Sequence, residues 1–184
     1  HRPNRRQRQM CIRDRTIREV KKFNNGCDVE VLIPDFKGDR IAINNIIEAS
    51  PEVINHNLET VPRLQREIRT SASYGRSLSL LHYVKSQGFE GKTKTGLIVG
   101  MGESKEEVIA VLKDISKLDV DIVTIGQYLR PTAKHRPIDR YAPEEEFEHY
   151  KLIGESFGIP HVESGPLVRS CLLYTSPSPR DDVI

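Results

Sequence analysis

No run in the 184 residues approaches the ~18 uninterrupted apolar positions that a membrane-spanning helix needs, so no membrane span is expected. The first residues lack the apolar core of a secretory signal, and none is expected there. Cysteine is scarce. Cys11, Cys27 and Cys171 are odd in number and far apart, which excludes a disulfide framework and makes a reducing, cytoplasmic setting the default. The six histidines show no H-E-x-x-H or other zinc spacing. No Ser-His-Asp or Cys-His set is arranged for nucleophilic catalysis. The glycines never spell G-x-G-x-x-G, so a dinucleotide pyrophosphate loop is also missing.

What remains suits one globular domain: 37% apolar residues can build a core, and 29% charged residues can solvate its surface. The small positive net charge conceals an uneven distribution. Residues 1–15 (HRPNRRQRQMCIRDR) hold six Arg against one Asp, and the stretch between this head and the tail is net acidic. An Arg-rich arm could contact nucleic acid, but such runs are more often solvated or disordered, and no nucleic-acid or membrane partner is expected. Neither the head nor the tail from Cys171 (CLLYTSPSPRDDVI) shows a periodicity that joins its neighbour. Both resemble translated sequencing-adapter read-through. Residues 1–15 and 171–184 are therefore expected to be non-native, leaving residues 16–170 as the domain. Cys27 is then the one native cysteine, expected as a small buried residue opening a strand.

The body alternates strand and helix. Thr16–Asn24 reads as the end of an amphipathic helix, and the β-branched run 28–33 as a buried strand. Asp39 is a candidate N-cap for a helix through Ala49, and Val53-Ile54 forms the core of the next strand. Helices are expected over 60–68 and 73–87, with Gly88 as a stop. A third strand at 95–99 precedes a helix over 105–118, which Ser104 and Glu107 suit as a capping box. A fourth strand covers 121–125, Pro143 opens an acid-rich helix that Gly158 ends, and a last strand covers 160–162. This alternation demands parallel strands and right-handed crossovers, in a barrel or a doubly wound sheet.

Either architecture places chemistry at the carboxyl ends of the strands. The polar residues falling there are Asp35, Asn55-His56-Asn57, Glu103 and Gln127-Tyr128. Residues 96–103 spell G-x-I-x-G-x-x-E on a strand that runs into a helix. Glycines there admit a ligand to the backbone, and the helix start offers free N–H groups; a tight turn without a ligand explains the same residues. Arg63, Arg66 and Arg69 recur every third residue and could hold an anion, although a solvated face is the commoner reason. Lys92 and Lys94 leave a Schiff-base lysine, and so an aldolase-type barrel, as an alternative.

Six strings in order, VEVLIPDFKGD (29–39), NHNLETVPRLQREIR (55–69), YGRSLSLL (74–81), KTGLIVGMGES (94–104), VDIVTIGQYLRPT (120–132) and SGPLVRS (164–170), closely resemble lipoyl synthases. The resemblance spans 16–170 and implies a partial (β/α) barrel of the radical S-adenosylmethionine type, truncated at its N-terminal side. It implies insertion of two sulfur atoms at C6 and C8 of a protein-bound octanoyl group. It also implies S-adenosylmethionine and two [4Fe–4S] clusters, one of them the sulfur source. The implied carriers are the lipoyl domains of 2-oxoacid dehydrogenase E2 subunits and the glycine-cleavage H protein, with ferredoxin or flavodoxin as electron donor. The setting would be cytoplasmic, or mitochondrial in a eukaryote. By this resemblance Asn55, His56, Asn57, Gly96, Ile98, Gly100, Glu103, Gln127, Tyr128 and Leu129 surround the cofactor. Asn55 and Glu103 are then expected to matter more to cofactor binding than to folding. Ser170, in Arg169-Ser170, matches the start of the family's R-S-S-Y motif and is the candidate auxiliary-cluster ligand, although Cys171 replaces the second serine. Neither the C-x-x-x-C-x-x-C motif nor the auxiliary cysteine triplet occurs in the sequence, so the chain alone is expected to be inactive. Another radical S-adenosylmethionine enzyme is the alternative of the same fold.

Overall fold

A computed structural model describes residues 5–169, with side chains from Arg13 onward. The sequence folds into five strands, β1 (Glu30–Leu32), β2 (Val53–Asn55), β3 (Lys92–Val99), β4 (Ile122–Gln127) and β5 (His161–Gly165). All neighbours pair in parallel, and the strand order is β1-β2-β3-β4-β5. A strictly sequential order puts every crossover on one side, because each connection is right-handed. That is the winding of a barrel. A doubly wound sheet would reverse its order at a switch point.

The intervening helices are α1 (Arg5–Phe23), α2 (Arg40–Glu48), the single turn α3 (Gln65–Ile68), α4 (Tyr74–Ser86), α5 (Lys105–Ser116) and α6 (Glu144–Ser156). Their starts obey local chemistry. The Asp39 carboxylate accepts from Ile41 N and Ala42 N at the head of α2, and Ser104 and Glu107 close the expected capping box on α5. Two apolar clusters back the sheet. Ile43 and Ile46 of α2 with Leu80 and Val84 of α4 bury Ile54. Val111, Leu112 and Ile115 of α5 with Phe147 and Tyr150 of α6 bury Leu97, Val123 and Val162. Each such side chain contributes roughly 1.5–3 kcal/mol relative to exposure.

Side chains alternate across a strand, so the residues between those core positions face the concave side. Register aligns Leu32 with Asn55, Asn55 with Lys94, Lys94 with Ile122, and Gly96 with Thr124. This concave face carries the polar residues.

Strand β3 opens at Lys92, not Thr95, and β5 runs on to Gly165, and three further features depart from the sequence reading. Helix α1 begins by Arg5 and runs unbroken through Arg15-Thr16; Arg, Gln and Met are good helix formers without any apolar periodicity. Between 60 and 68 only a 3₁₀ turn (Pro62–Leu64) and α3 form. Pro62 forces Val61 into an extended conformation, with φ −70° and ψ 157°, so a helix cannot start at Thr60. Cys27 is exposed in the turn before β1, not buried, because Gly26, at φ +81°, turns the chain at the surface.

Candidate functional site

Glu30 at the start of β1, Asn55 at the end of β2 and Lys94 in the first half of β3 form a charged network on the concave face. Lys94 is fully buried, and its Nζ donates to both carboxylate oxygens of Glu30 at 2.9 Å. Asn55, 1% exposed, donates from Nδ2 to Glu30 Oε1 at 3.1 Å. The Asn55 Oδ1 atom is buried, and no described residue bonds it. Asn57 repeats the arrangement: Nδ2 donates to Glu59 Oε1 at 3.2 Å, and Oδ1 is buried without a partner among the described residues. Arg69 steadies that turn by donating to the carbonyls of Asn57 and Leu58 at 2.8 and 3.2 Å.

Gly96 forms the floor beside Asn57. A Cβ there would meet Asn57 Oδ1 and Thr124 Oγ1 at 2.9 Å each, so only glycine allows both polar atoms to approach the strand. Ile98 lies two residues on, half-buried on the same face. Farther round, a cavity of about 460 Å³ is lined by Thr124, Glu163, Gly165, Leu167 and Arg169 among others.

The other expected residues do different work. His56 points to the helix side, where Nδ1 meets Ile33 O and Nε2 meets Ser77 Oγ, both at 2.8 Å. Burial holds its pKa below the ordinary value, helped by the nearby Arg69 and opposed by the Ile33 bond. It is a neutral tie between β1, β2 and α4. The Glu103 carboxylate accepts from Gly100 N at 2.6 Å and Met101 N at 2.9 Å, with Arg140 at 3.6 Å. It therefore fixes its own turn, in which Gly100 takes φ +103°. Gln127 closes that turn from β4, accepting from Ala142 N and donating to the Arg140 carbonyl. Tyr128 donates to the Arg136 carbonyl at 2.9 Å, and Leu129 is exposed. Ser170 lies outside the described residues, as do the head up to residue 4 and the tail.

The structure thus brings Asn55, Asn57, Gly96 and Ile98 together on the concave face and Gly100, Glu103 and Gln127 at a turn beside it, and it sends His56 elsewhere. Glu30, Thr124 and Glu163 were not singled out from the sequence, Arg169 entered only within the R-S-S-Y match, and Lys94 only as a possible imine former. An acid inside a β-branched run at residue 30 and the lysine at 94 were the available signal. Pairing them needed the register of three strands. The Arg63, Arg66 and Arg69 series does not share a purpose: Arg63 pairs with Glu107 at 2.8 Å, Arg66 is exposed, and Arg69 braces the Asn57 turn.

A family model described as the radical SAM superfamily matches residues 6–115. The chain is 53% identical over 155 residues to a lipoyl synthase of Rubrobacter xylanophilus, covering 84% of this chain and 48% of that protein. It is 50% identical over 155 residues to a mitochondrial lipoyl synthase of Nematostella vectensis, covering 84% and 53%. The chain spans about half the length of the curated relatives it matches. Among solved structures, a domain of a pyruvate-formate lyase-activating enzyme from Bacteroides vulgatus superposes with TM-score 0.64 at 10% identity, covering 89% of this chain and 96% of that one. A methylornithine synthase superposes with TM-score 0.57 at 16% identity, covering 93% and 59%. These two likenesses concern the fold.

Proposed function

The chain belongs to the radical SAM superfamily, and we propose that it is the barrel segment of a lipoyl synthase, which inserts sulfur at C6 and C8 of a carrier-bound octanoyl group. The observation that carries this reading is identity of about one half, sustained over 155 residues, with lipoyl synthases of a bacterium and an animal. S-adenosylmethionine, when bound, supplies the hydrogen-abstracting chemistry of such an enzyme.

The concave face fits that polar cofactor. Asn55 Oδ1 and Asn57 Oδ1 are buried acceptors with no partner among the described residues, and Gly96 lets Asn57 Oδ1 and Thr124 Oγ1 lie close against the strand. Asn55 and Asn57 would bind it, Ile98 would give it an apolar surface, and the turn held by Glu103 and Gln127 would border it. Iron–sulfur clusters do not fit the described residues. No group of three or more His, Cys, Asp or Glu among them could hold a metal ion, and Cys27 is a single exposed thiol before β1. No cluster step is derived through this chain. We assign the cluster cysteines to the half of the relatives that it does not span, Ser170 to the auxiliary cluster, and residues 16–170 to the native barrel.

The proposed substrates are octanoylated lipoyl domains and the glycine-cleavage H protein, with ferredoxin or flavodoxin as donor. Among the described residues no helix is long and apolar enough to cross a membrane. The aldolase alternative gains no support, since the buried Lys94 is committed to Glu30. The test is a full-length lipoyl synthase whose barrel segment is replaced by residues 16–170 of this chain, with clusters loaded. Mass spectrometry of an octanoylated carrier should show two sulfur atoms gained. A folded chimera, verified by circular dichroism, that adds none would overturn the reading.

A further inference from the structure

We propose that Glu30 is a positioning residue, which fixes Asn55 as a hydrogen-bond acceptor facing a ligand on the concave side of the barrel. The inference rests on the reading of that face as the S-adenosylmethionine site. Its ground is a constraint on an amide. An ionised carboxylate can only accept hydrogen bonds, so the end of Asn55 that meets Glu30 must be Nδ2, as the 3.1 Å contact shows. Its oxygen is thereby turned the other way, where it is buried and no described residue satisfies it.

Lys94 makes the constraint firm. Its ammonium grips both Glu30 oxygens at 2.9 Å from the far side of β2, so the carboxylate cannot swing away from Asn55 without leaving a buried cation unpaired. The arrangement recurs two residues along. Glu59 takes the Nδ2 of Asn57 and leaves that Oδ1 also buried, with no partner among the described residues. Two asparagines, each with its amino end held by a glutamate, therefore present two acceptors on one face. Buried acceptors left unmade destabilise a fold, and an apolar pair in place of Glu30 and Lys94 would remove the charge-burial penalty. The geometry is accounted for by a ligand that brings two N–H or O–H donors, hydroxyl or ammonium, to these oxygens. A glutamine at position 30 can both donate and accept, so the Asn55 amide would be free to turn over and present N–H where the ligand requires an acceptor.

The experiment uses the full-length, cluster-loaded chimera without reductant and measures S-adenosylmethionine dissociation constants by equilibrium dialysis, so that no turnover is needed. Glu30→Gln should weaken binding roughly tenfold, the scale of one misplaced hydrogen bond in a buried site. In an Asn55→Ala background the same change should have no further effect. Because Glu30→Gln removes an ion-pair partner, the cycle is repeated in a Lys94→Met background, where no cation is left unpaired; a loss in the same direction should persist there, smaller because Lys94 no longer holds the carboxylate. Wild-type affinity for Glu30→Gln in both backgrounds, or losses for Glu30→Gln and Asn55→Ala that simply multiply, would overturn the positioning role and leave the proposed function standing. A parent chimera that binds no S-adenosylmethionine would overturn both.

Discussion

Glu30 and Lys94 stand on strands that are not neighbours, with β2 between them, yet both carboxylate oxygens lie 2.9 Å from the ammonium. The pair ties the edge strand β1 to the middle of the sheet across Asn55. Removing one member leaves a charge or an acceptor set stranded, whereas replacing both with apolar residues strands no charge and only the Asn55 amide nitrogen. Glu30→Ala is expected to destabilise the chain by about 3–5 kcal/mol. Glu30→Leu combined with Lys94→Met should return to within about 1 kcal/mol of wild type. Urea unfolding of the chain gives both numbers, and equal losses for the single and double variants would contradict a true buried pair.

His56 gives the fold a pH dependence whose sign follows from its surroundings. Burial lowers its pKa in the folded state below the ordinary 6.5, so below that pH the unfolded chain takes up a proton that the folded chain refuses. Stability is then fully present above about pH 6.5 and is lost as pH falls toward the folded-state pKa, by at most about 1.4 kcal/mol per pH unit. His56→Gln removes this titration. Urea midpoints at pH 7.5 and 5.5 should separate more for wild type than for His56→Gln, and an equal separation would show that the imidazole is not held neutral.

The two motif glycines should differ in what a methyl group does. At Gly96 a Cβ would press Asn57 Oδ1 and Thr124 Oγ1 at 2.9 Å, both side-chain atoms that can yield. At Gly100 it would lie 2.6 Å from the Arg140 carbonyl, on a residue at φ +103°. Gly96→Ala is expected to cost about 1–2 kcal/mol, and Gly100→Ala about 3 kcal/mol or more. Thermal unfolding of the two variants decides the order, and a reversed order would mean that the turn at Gly100 is adaptable.

Local patterns made most of the scaffold legible. Asp39 and Ser104 announced their helices because capping is read from a few adjacent residues. The apolar pair Val53-Ile54 located β2 for the same reason. The choice of barrel over doubly wound sheet was not legible in local patterns and came only from the family resemblance, since strand order is a property of the whole sheet. Asn55 and Asn57 were recognisable as strand-end residues and Gly96 as part of the G-x-I-x-G-x-x-E run, and Asn57 and Gly96 do meet. His56 was grouped with them by adjacency, although strand alternation turns it to the opposite face, onto Ser77. Glu30 escaped notice because its partners are 25 and 64 residues away in sequence.

The same logic separates Asn55 from Glu103, which the sequence joined as two strand-end residues serving one cofactor. Both are buried, but their bonds face different ways. Glu103 spends its carboxylate on Gly100 N and Met101 N, two backbone donors that have no substitute once it is gone. Each charge-assisted bond of that kind contributes about 1.5–3 kcal/mol, so Glu103→Ala should lower unfolding stability by about 3–5 kcal/mol. Asn55 makes one bond to Glu30 and leaves Oδ1 without a partner among the described residues. Asn55→Ala loses that bond but also removes a buried unmade acceptor, and the net change should stay below about 1 kcal/mol. S-adenosylmethionine affinity in the cluster-loaded chimera should fall clearly for Asn55→Ala. For Glu103→Gln, which keeps one acceptor oxygen on the turn, it should fall less. Urea unfolding and equilibrium dialysis on these variants distinguish a residue that serves the ligand from one that serves its own loop. A large stability loss for Asn55→Ala, with affinity intact, would return it to the scaffold.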